Sequence, residues 1–406
     1  MKILIFSEEY IKITKGMFVV WRNYVSESSE RYDVDILLNK EHWAVDELED
    51  EFGANENVVL HQLPFKMPTT IVKMVFGWFD QHWILRGGWH VFGQCLNLLF
   101  SPLVIIYLTL WLRQAKPIAM FSHNGGWPAG VLCRWILVAA FLARVPRRIL
   151  IIHSHPHINE NIVFYILFRP IRWLQARVMD YCATTIVTVS DSVKASLVQN
   201  VFERSVKRIH NGIPKFGQTP IDQVSEQPTG RVPHNATIGF VGALYPMKGP
   251  HVLLDAFKLI DIRCELALLG PADPVYLKTL QQKAEQCPNK VSFLGFQSDV
   301  DAFMDKLDFL VVPSIAFESF GIVILEAMRC KIPVICSDFG GMKEVVEDGI
   351  TGLVVPANDA LALASAMTRL LFNTELSLQM GEAGYKRFNE LFTSEKMAAQ
   401  YDELIN

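Results

Sequence analysis

The sequence lacks most of the short patterns that assign an enzyme class directly. It contains no CxxC pair, no P-loop GxxxxGK[ST], no GxGxxG fingerprint and no recognisable Ser, His and Asp set. Its seven cysteines are an odd number without ligand-like spacing to histidine, which indicates reduced thiols. The apolar run at the N-terminus is too short for a signal-peptide core. We therefore predict a cytoplasmic protein that is neither a P-loop ATPase nor a classical dinucleotide enzyme.

Charged residues are also scarce, at 20% of 406 residues, while 50% are hydrophobic. Such a composition indicates large buried surfaces, and this length suggests two domains. Residues 214–235 are rich in Pro, Gly, Gln and Ser, which is typical of a linker. We predict domains at 1–213 and 236–390 on either side of it.

Short apolar runs alternate with helix-length segments in both halves, which predicts two parallel sheets flanked by helices. The fold class is therefore α/β, with two Rossmann-like, doubly wound domains and a ligand cleft between them. The predicted strands of the first half are 2–6, 34–38, 118–122, 148–153 and 185–189; those of the second half are 237–242, 264–270, 290–294, 308–313, 333–337 and 352–355.

Residues 71–112 interrupt this alternation with aromatic and apolar sequence. Residues 96–112 are 17 residues without a charge, broken by Ser101 and Pro102, at the lower limit of a membrane span. Three interpretations stay open: a buried helix, a membrane span and an interfacial patch. Residues 61–215 contain 17 Lys and Arg against 5 Asp and Glu, which favours contact with anionic lipid over a fully buried segment.

The segment FESFGIVILE places Glu318 and Glu326 eight positions apart. On one continuous helix they would lie roughly 80° apart, so they would not share a face. We predict instead that a loop containing Glu318 meets a helix near Gly321, with Glu326 one turn inside. Free amides from Phe320 to Val323 and the helix dipole then form an anion site. Carboxylates on both sides of an anion match a nucleotide diphosphate with sugar hydroxyls at each end.

Several segments, in order, resemble the retaining glycosyltransferases of family 4, which have the GT-B fold. FVGALYPMKGPHVLLDAF resembles the family's strand, glycine loop, lysine and helix. PSIAFESFGIVILEAM is similar to its E-x7-E element, and CSDFGGMKEVVEDGITGLVVP to its next strand and GG turn. TIVTVSDSVKASL and VKRIHNGIP resemble the end of its first domain. The resemblance is dense over roughly 180–405 and implies that the C-terminal helix, 391–406, crosses back to the first domain.

The resemblance assigns roles residue by residue. It implies that Glu318 contacts the donor sugar, that Glu326 holds the ribose and that Lys248 neutralises the diphosphate. The donor-binding residues are then Lys15, Gly16, Lys248, Glu318, Phe320, Gly321, Ile322, Val323 and Glu326, and the catalytic ones Glu318, Lys248 and His153.

Two positions depart from the family pattern. Ala243 stands where the family has an arginine that pairs with the lysine, so half of the usual side-chain charge is missing. Lys15 replaces the first of two glycines in a turn that Gly16 completes. Lys15 either disturbs this turn or supplies the missing phosphate contact.

His153, His155 and His157 alternate after an apolar run, and on a strand they would share one face suitable for zinc. Pro156 and the absence of a nearby acid argue against a metal. The resemblance instead implies that His153, at the strand end, contacts the donor sugar, with His155 as second choice. His123, at the end of an earlier strand, is either a ligand contact or a loop residue.

We interpret the chain as a retaining glycosyltransferase that uses a UDP- or GDP-sugar, an acceptor that is a glycan or lipid-linked, and neither metal nor cofactor. A role in cell-surface polysaccharide or glycolipid synthesis at the inner face of the membrane is expected. Nucleic acid is not an expected partner, because the aromatics lie in long apolar runs. Two alternatives remain: an epimerase-like enzyme of the same fold and a catalytically inactive binding subunit.

Overall fold

Each half of the chain forms a parallel sheet whose strands are nearly continuous hydrophobic runs, as expected when helices cover both faces. A computed structural model describes residues 1–8, 15–40, 42–65, 83–126, 130–154, 169–198, 202, 205–215, 236–297 and 299–406. They divide into two units. Unit 1 comprises Met1–Thr188, Lys194–Arg208 and Gln400–Asn406, and unit 2 comprises Val189–Val193 and Ile209–Ala399. Most of the predicted linker, 216–235, lies outside the described residues.

Unit 1 contains a seven-stranded parallel sheet in the order β3-β2-β1-β4-β5-β6-β7. Its central strands are fully buried from Ile3 to Phe6 and from Ile149 to Ile152. The strands are β1 Lys2–Ser7, β2 Asp33–Leu38, β3 Val58–Gln62, β4 Ala119–Asn124, β5 Arg147–Ile152, β6 Thr185–Thr188 and β7 Val206–Arg208; the helices of this half of the chain are α1 Lys15–Ser28, α2 Val45–Phe52, α3 Trp83–Ala115, α4 Val131–Leu142, α5 Arg169–Cys182 and α6 Asp191–Val198.

Unit 2 contains a six-stranded parallel sheet in the order β10-β9-β8-β11-β12-β13. Leu266, Leu268, Phe309 and Val311 lie in its core, beneath helices that supply Leu253 and Phe257. The strands are β8 Ala236–Val241, β9 Cys264–Leu269, β10 Lys290–Gly295, β11 Phe309–Val312, β12 Val334–Ser337 and β13 Gly352–Val355; the helices are α7 Pro250–Phe257, α8 Pro274–Ala284, α9 Asp301–Met304, α10 Ile322–Arg329, α11 Met342–Val345, α12 Ala360–Phe372, α13 Thr374–Leu391 and α14 Ser394–Asp402.

All eleven predicted strands are present, and two strands were missed. Strand β3 lies at the sheet edge with Val59 exposed, and β7 is a three-residue edge strand with two exposed basic residues. These two edge strands face solvent, and they lack the continuous apolar run that revealed the central strands.

The segment 96–112 belongs to α3, a helix of 33 residues with Pro102 inside it. Among the residues that the structure describes, no helix is both long enough and apolar enough to cross a membrane. The interpretation of this segment as a buried helix is also wrong for its outer face, because Leu99, Leu103, Ile106 and Leu110 are exposed. Residues 71–82 lie outside the described part of the chain.

Candidate functional site

The candidate site lies where the strand order of unit 2 reverses. From β8 the chain adds β9 and β10 on one side, and β11 then pairs with the other side of β8. Open parallel sheets bind ligands at such a switch point, outside the carboxyl ends of the strands. The loops that follow β8 and β11 contain Lys248 and Glu318, so the topology brings these two predicted residues together.

Backbone and side-chain contacts join these two loops. Lys248 ends a short 3₁₀ helix, Pro246–Lys248, in which the carbonyl of Met247 accepts hydrogen bonds from the amides of Ile315 (3.0 Å) and Ala316 (3.3 Å). The Lys248 ammonium donates to Glu318 Oε2. Both side chains are partly exposed, so the pair is accessible to a ligand.

The GG turn after β12 holds the backbone of Glu318. The amide of Gly341 donates to the carbonyl of Glu318 at 2.7 Å. Gly340 has φ +86°, and a Cβ on it would lie 2.2 Å from the same carbonyl oxygen. Only glycine fits this position, both for its left-handed backbone and for the close approach. The GG turn therefore fixes the loop that presents the carboxylate of Glu318.

The predicted loop-to-helix junction is present, and α10 begins at Ile322. Gly321 precedes it in the left-handed conformation, with φ +87°, and its carbonyl accepts from the amide of Ile324 at 2.9 Å. The amides of Gly321, Ile322 and Val323 have no acceptor inside the helix, as in any first helical turn. With the helix dipole these amides can bind an anion, three to five residues after Glu318.

Phe320 takes part in the site through its backbone alone. Its side chain is buried against the rings of His210, at 5.3 Å between centroids, and Phe392, at 5.8 Å. This packing anchors the end of the loop, so that the partly exposed Glu318 and the first turn of α10 are both attached to the core.

Glu326 is the fifth residue of α10 and is partly buried. Burial raises the pKa of Glu326 to about 7, with Arg329 opposing the shift and Asp301 adding to it. Arg329 itself pairs with Asp301 at 2.5 Å. A carboxyl group with this pKa is poised to gain charge when hydroxyl groups donate to it.

A network around Glu344 was not predicted from the sequence. Its carboxylate accepts from the amides of Asp191 and Ser192 and from Ser192 Oγ, each at 2.7 Å, and lies 3.6 Å from His210 Nε2. Despite partial burial, these hydrogen bonds hold the pKa of Glu344 at about 2. Ser192 Oγ also lies 2.9 Å from the carbonyl oxygen of Gly340, so its single proton can be directed to either acceptor and Ser192 links the network to the GG turn.

A second switch point lies between β1 and β4 in unit 1, and histidines stand beside it. His123 is in β4, paired with Ser7 of β1, and His153 follows β5. His123 Nδ1 and His153 Nε2 are 2.9 Å apart in stacked, buried rings. Burial lowers the pKa of His153 to about 3 and that of His123 well below its ordinary value. Both rings are therefore neutral at physiological pH, and one donates to the other.

The remaining predicted residues are less informative. Gly16 is exposed in the first turn of α1, which begins at Lys15, so the predicted turn before this helix is wrong at that position. The strand that would have aligned three histidines ends at Ile152, before the first of them, and His155 and His157 lie outside the described residues. Within the described ranges, no group of three His, Cys, Asp or Glu could hold a metal ion.

Comparison with known proteins agrees with this geometry. Residues 223–387 match the family model of the glycosyl transferases group 1. The match covers about two fifths of the chain. The matched region includes Lys248, Glu318, Glu326 and the GG turn at 340–341, and Lys248, Glu318 and the GG turn meet at the switch point of unit 2.

Individual relatives extend the similarity. An uncharacterized glycosyltransferase of Methanocaldococcus jannaschii is 35% identical over 213 residues, 52% of this chain and 56% of that protein. The capsular polysaccharide biosynthesis glycosyltransferase CapM of Staphylococcus aureus is 26% identical over 328 residues, 76% of this chain and 82% of that protein. The chain thus spans little more than half of the first relative and about four fifths of the second.

Solved structures show the fold. Anabaena HepE in complex with UDP and glucose superimposes with a TM-score of 0.70 at 20% identity, covering 99% of this chain and 98% of HepE. The sucrose-phosphate synthase of Thermosynechococcus elongatus gives 0.68 at 19% identity, covering 99% and 98%. The two parallel sheets and these neighbours confirm the GT-B fold that the resemblance implied.

We predict that Gly340→Ala destabilises unit 2 by about 2 to 4 kcal/mol, since it adds a left-handed strain of about 1 to 2 kcal/mol and an overlap with the carbonyl of Glu318. Gly349→Ala is the matched control: Gly349 has φ +76°, and a Cβ there would meet nothing within 4 Å. Urea unfolding of both variants measures the difference. Equal losses in the two variants would show that the close approach at Gly340 contributes nothing.

Proposed function

We propose that this chain is a retaining glycosyltransferase that moves a sugar from a UDP- or GDP-sugar to a glycan or lipid-linked acceptor. The observation that carries the proposal is the pair formed by Lys248 and Glu318 beside the first turn of α10, at the switch point of unit 2 and within the region that matches the family model. The proposed setting is cell-surface polysaccharide or glycolipid synthesis, at the cytoplasmic face of the membrane. CapM and the phosphatidyl-myo-inositol mannosyltransferase of Mycobacterium leprae, 29% identical over 301 residues, support this setting by their names.

In the proposed donor complex, the diphosphate binds the amides of Gly321, Ile322 and Val323 and the ammonium of Lys248. Sugar hydroxyls donate to Glu318, and ribose hydroxyls donate to Glu326. The HepE structures hold UDP and UDP-glucose, which supports a nucleotide-sugar donor for this fold. Lys15 and Gly16 stay proposed donor contacts from the other unit.

The ion pair prepares Lys248 for this ligand. An ammonium group has three N–H donors, and one of them is directed at Glu318 in the free protein. The other two are available for phosphate oxygens without any change in the position of the lysine. Ordering this long side chain beforehand removes part of the entropic cost of binding.

The proposed transfer breaks the bond between the sugar C1 and the phosphate oxygen and forms a bond between C1 and the acceptor oxygen on the same face. The acceptor proton passes to the departing phosphate oxygen, so no protein base is required. Lys248 and the amides of α10 stabilise the negative charge that grows on the leaving diphosphate. A single preorganised donor of this kind is worth about 3 to 4 kcal/mol of barrier in other enzymes.

His153 has a different proposed role. Its low pKa keeps the imidazole neutral, so that it donates or accepts a hydrogen bond at a sugar hydroxyl rather than supplying a positive charge. The 2.9 Å contact with His123 fixes the ring and its tautomer. His123 is therefore proposed as a positioning residue for His153.

Ala243 supports a second candidate function. It follows β8 by two residues, at the same switch point, and supplies no charge where the resemblance implies an arginine. The proposed site then relies on one lysine and on amide dipoles for a doubly charged diphosphate. If these do not suffice, the chain is an inactive subunit that binds nucleotide sugars without transferring them.

Lys248→Met and Glu318→Gln are predicted to lower donor turnover by at least about 100-fold, because each removes a group that contacts the leaving diphosphate or the sugar. A thermal-shift panel of UDP- and GDP-sugars first identifies the donor. Nucleotide release is then measured with and without a polyprenyl-phosphate acceptor. Each of these two measurements is made both in the presence and in the absence of a metal chelator. The proposed metal-free reaction predicts equal rates with and without chelator.

Lys258→Met is the matched control, since Lys258 is an exposed lysine on the same unit whose ammonium donates to Gln286 Oε1 at 3.1 Å. Unchanged turnover in both site variants would contradict the assigned site. Donor binding by the wild type without turnover would identify an inactive subunit, and release of an epimerised sugar would identify an epimerase.

The affinity for the nucleotide sugar is predicted to rise as pH increases through 7. Glu326 has a pKa of about 7 in the free protein, and hydroxyl donors favour its charged form, so binding releases a proton below this pH. Calorimetric titration from pH 6 to 8 measures the slope. Glu326→Gln retains the size of the side chain but does not titrate, and should abolish the slope; an unchanged slope in this variant would contradict the ribose assignment.

A further inference from the structure

Three helices of unit 1 form one layer over its sheet. The crossovers from β3 to β4, from β4 to β5 and from β5 to β6 contain α3, α4 and α5, and all three advance in the same direction along the sheet. Right-handed crossovers in one direction place their helices on one face of a sheet. Helix α4 accordingly packs against α3 on one side and α5 on the other. The outer surfaces of α3 and α5 therefore face the same way.

The outer surface of α3 is apolar where a water-facing helix should be polar. Leu99, Leu103, Ile106 and Leu110 recur at helical spacing and are all exposed, with Leu103 at 64%. The opposite side of the same helix is buried in the core through Val104, Leu108 and Leu112. From residue 99 to residue 112 the helix therefore has two apolar faces, of which the core covers one.

The outer surface of α5 repeats this pattern. Ile171, Leu174, Val178 and Tyr181 form an exposed stripe at helical spacing, with Leu174 at 58%, and Trp173 is exposed beside it. The inner side contains Ala176, Met179 and Asp180. The larger apolar side chains of this helix thus face away from the core, which is the reverse of an ordinary amphipathic helix.

The part of the chain that forms this surface is rich in cations and poor in acids. Residues 83–188 contain ten Lys and Arg but only Glu160 and Asp180 as acids. Asp180 is buried and pairs with Arg177 at 3.2 Å, and the guanidinium of Arg177 lies over the ring of Trp173 at 5.8 Å. At the end of α3, the exposed Arg113 donates to the carbonyl of Leu142 at 3.3 Å. An aromatic and apolar surface with basic neighbours matches the boundary between lipid headgroups and acyl chains.

We propose that the face formed by α3 and α5, defined by Leu99, Leu103, Ile106, Leu110, Ile171, Trp173, Leu174, Val178 and Tyr181, docks on an anionic bilayer. The two helices lie in the membrane plane with these side chains among the acyl chains. A second copy of the chain fits less well, because the two basic faces would repel each other. The inference rests on the proposed function and deepens it, since it places unit 1 on the membrane that would hold a lipid-linked acceptor.

The test is vesicle flotation of the full chain with phosphatidylcholine alone and with phosphatidylglycerol added. Binding should require the anionic lipid and weaken with salt. Leu103→Glu with Leu174→Glu should lower the partition coefficient at least tenfold, because both charges would enter the acyl region. Val275→Glu with Leu361→Glu is the matched control on unit 2, at side chains that are 76% and 73% exposed, and should bind as the wild type does.

A site-specific readout accompanies the flotation. Lipids brominated on their acyl chains should quench the fluorescence of Trp173, and the quenching should decrease in Trp173→Phe. Equal binding by the two double variants, or quenching that Trp173→Phe leaves unchanged, would overturn the proposal. Light scattering tests whether a second copy of the chain occupies the face instead. A wild-type protein that is dimeric and does not bind vesicles, and that becomes monomeric in Leu103→Glu with Leu174→Glu, would assign the face to a second copy.

Both double variants are also assayed for nucleotide-sugar binding without vesicles. The proposal predicts wild-type affinity in both, since the face lies on α3 and α5 and the donor residues Lys248 and Glu318 lie in unit 2. A double variant that loses both donor binding and vesicle binding would be misfolded, and thermal unfolding checks this. The conservative Trp173→Phe variant tests the face without that risk. If the Lys248 and Glu318 variants left turnover unchanged, the proposed function would be contradicted, whereas the proposal of a membrane-docking face would be unaffected.

Discussion

Two strands that neighbour each other in the sheet but lie about 70 residues apart in the sequence, β8 and β11, bring Lys248 and Glu318 into contact. The carbonyl of Met247 joins the same two loops through backbone hydrogen bonds, and the GG turn after β12 holds Glu318 from the other side. The first turn of α10 then begins four residues after Glu318. Every proposed donor contact of unit 2 depends on this connection, because it places the ammonium, the carboxylate and the helix amides around one point.

The aromatic side chains that support this site are buried, whereas Lys248 and Glu318 are partly exposed. Phe320 packs against His210 and Phe392, and Glu344 ties residues 191 and 192 to the segment of the GG turn. Rigid support of this kind lets a site meet its ligand without reorganisation, which is how electrostatic stabilisation becomes effective. The low pKa of Glu344 and the raised pKa of Glu326 distinguish the two carboxyl groups: Glu344 is paired within the structure, and Glu326 is the one proposed to accept from hydroxyl donors.

Sequence reasoning recovered the buried strands and the junction at Gly321 because each has a local cause. Parallel strands covered on both faces must be apolar throughout, and a glycine before an apolar helical run marks its start. The edge strands β3 and β7 lack this signal. The network of Glu344 was also invisible, since its partners at 191 and 192 lie about 150 residues earlier and nothing local connects them. The outward face of α3 could not be told from a buried one, because the same leucines suit both.

The central claim is that Lys248 and Glu318 act together on the donor, and a double-mutant cycle of donor affinity tests it most directly. Calorimetric titration of the identified nucleotide sugar is performed on the wild type, Lys248→Met, Glu318→Gln and the double variant. Residues in direct contact are expected to show a coupling energy of about 0.5 to 3 kcal/mol. Strictly additive losses would contradict a joint role for the pair, and unchanged affinity in all three variants would contradict the site itself.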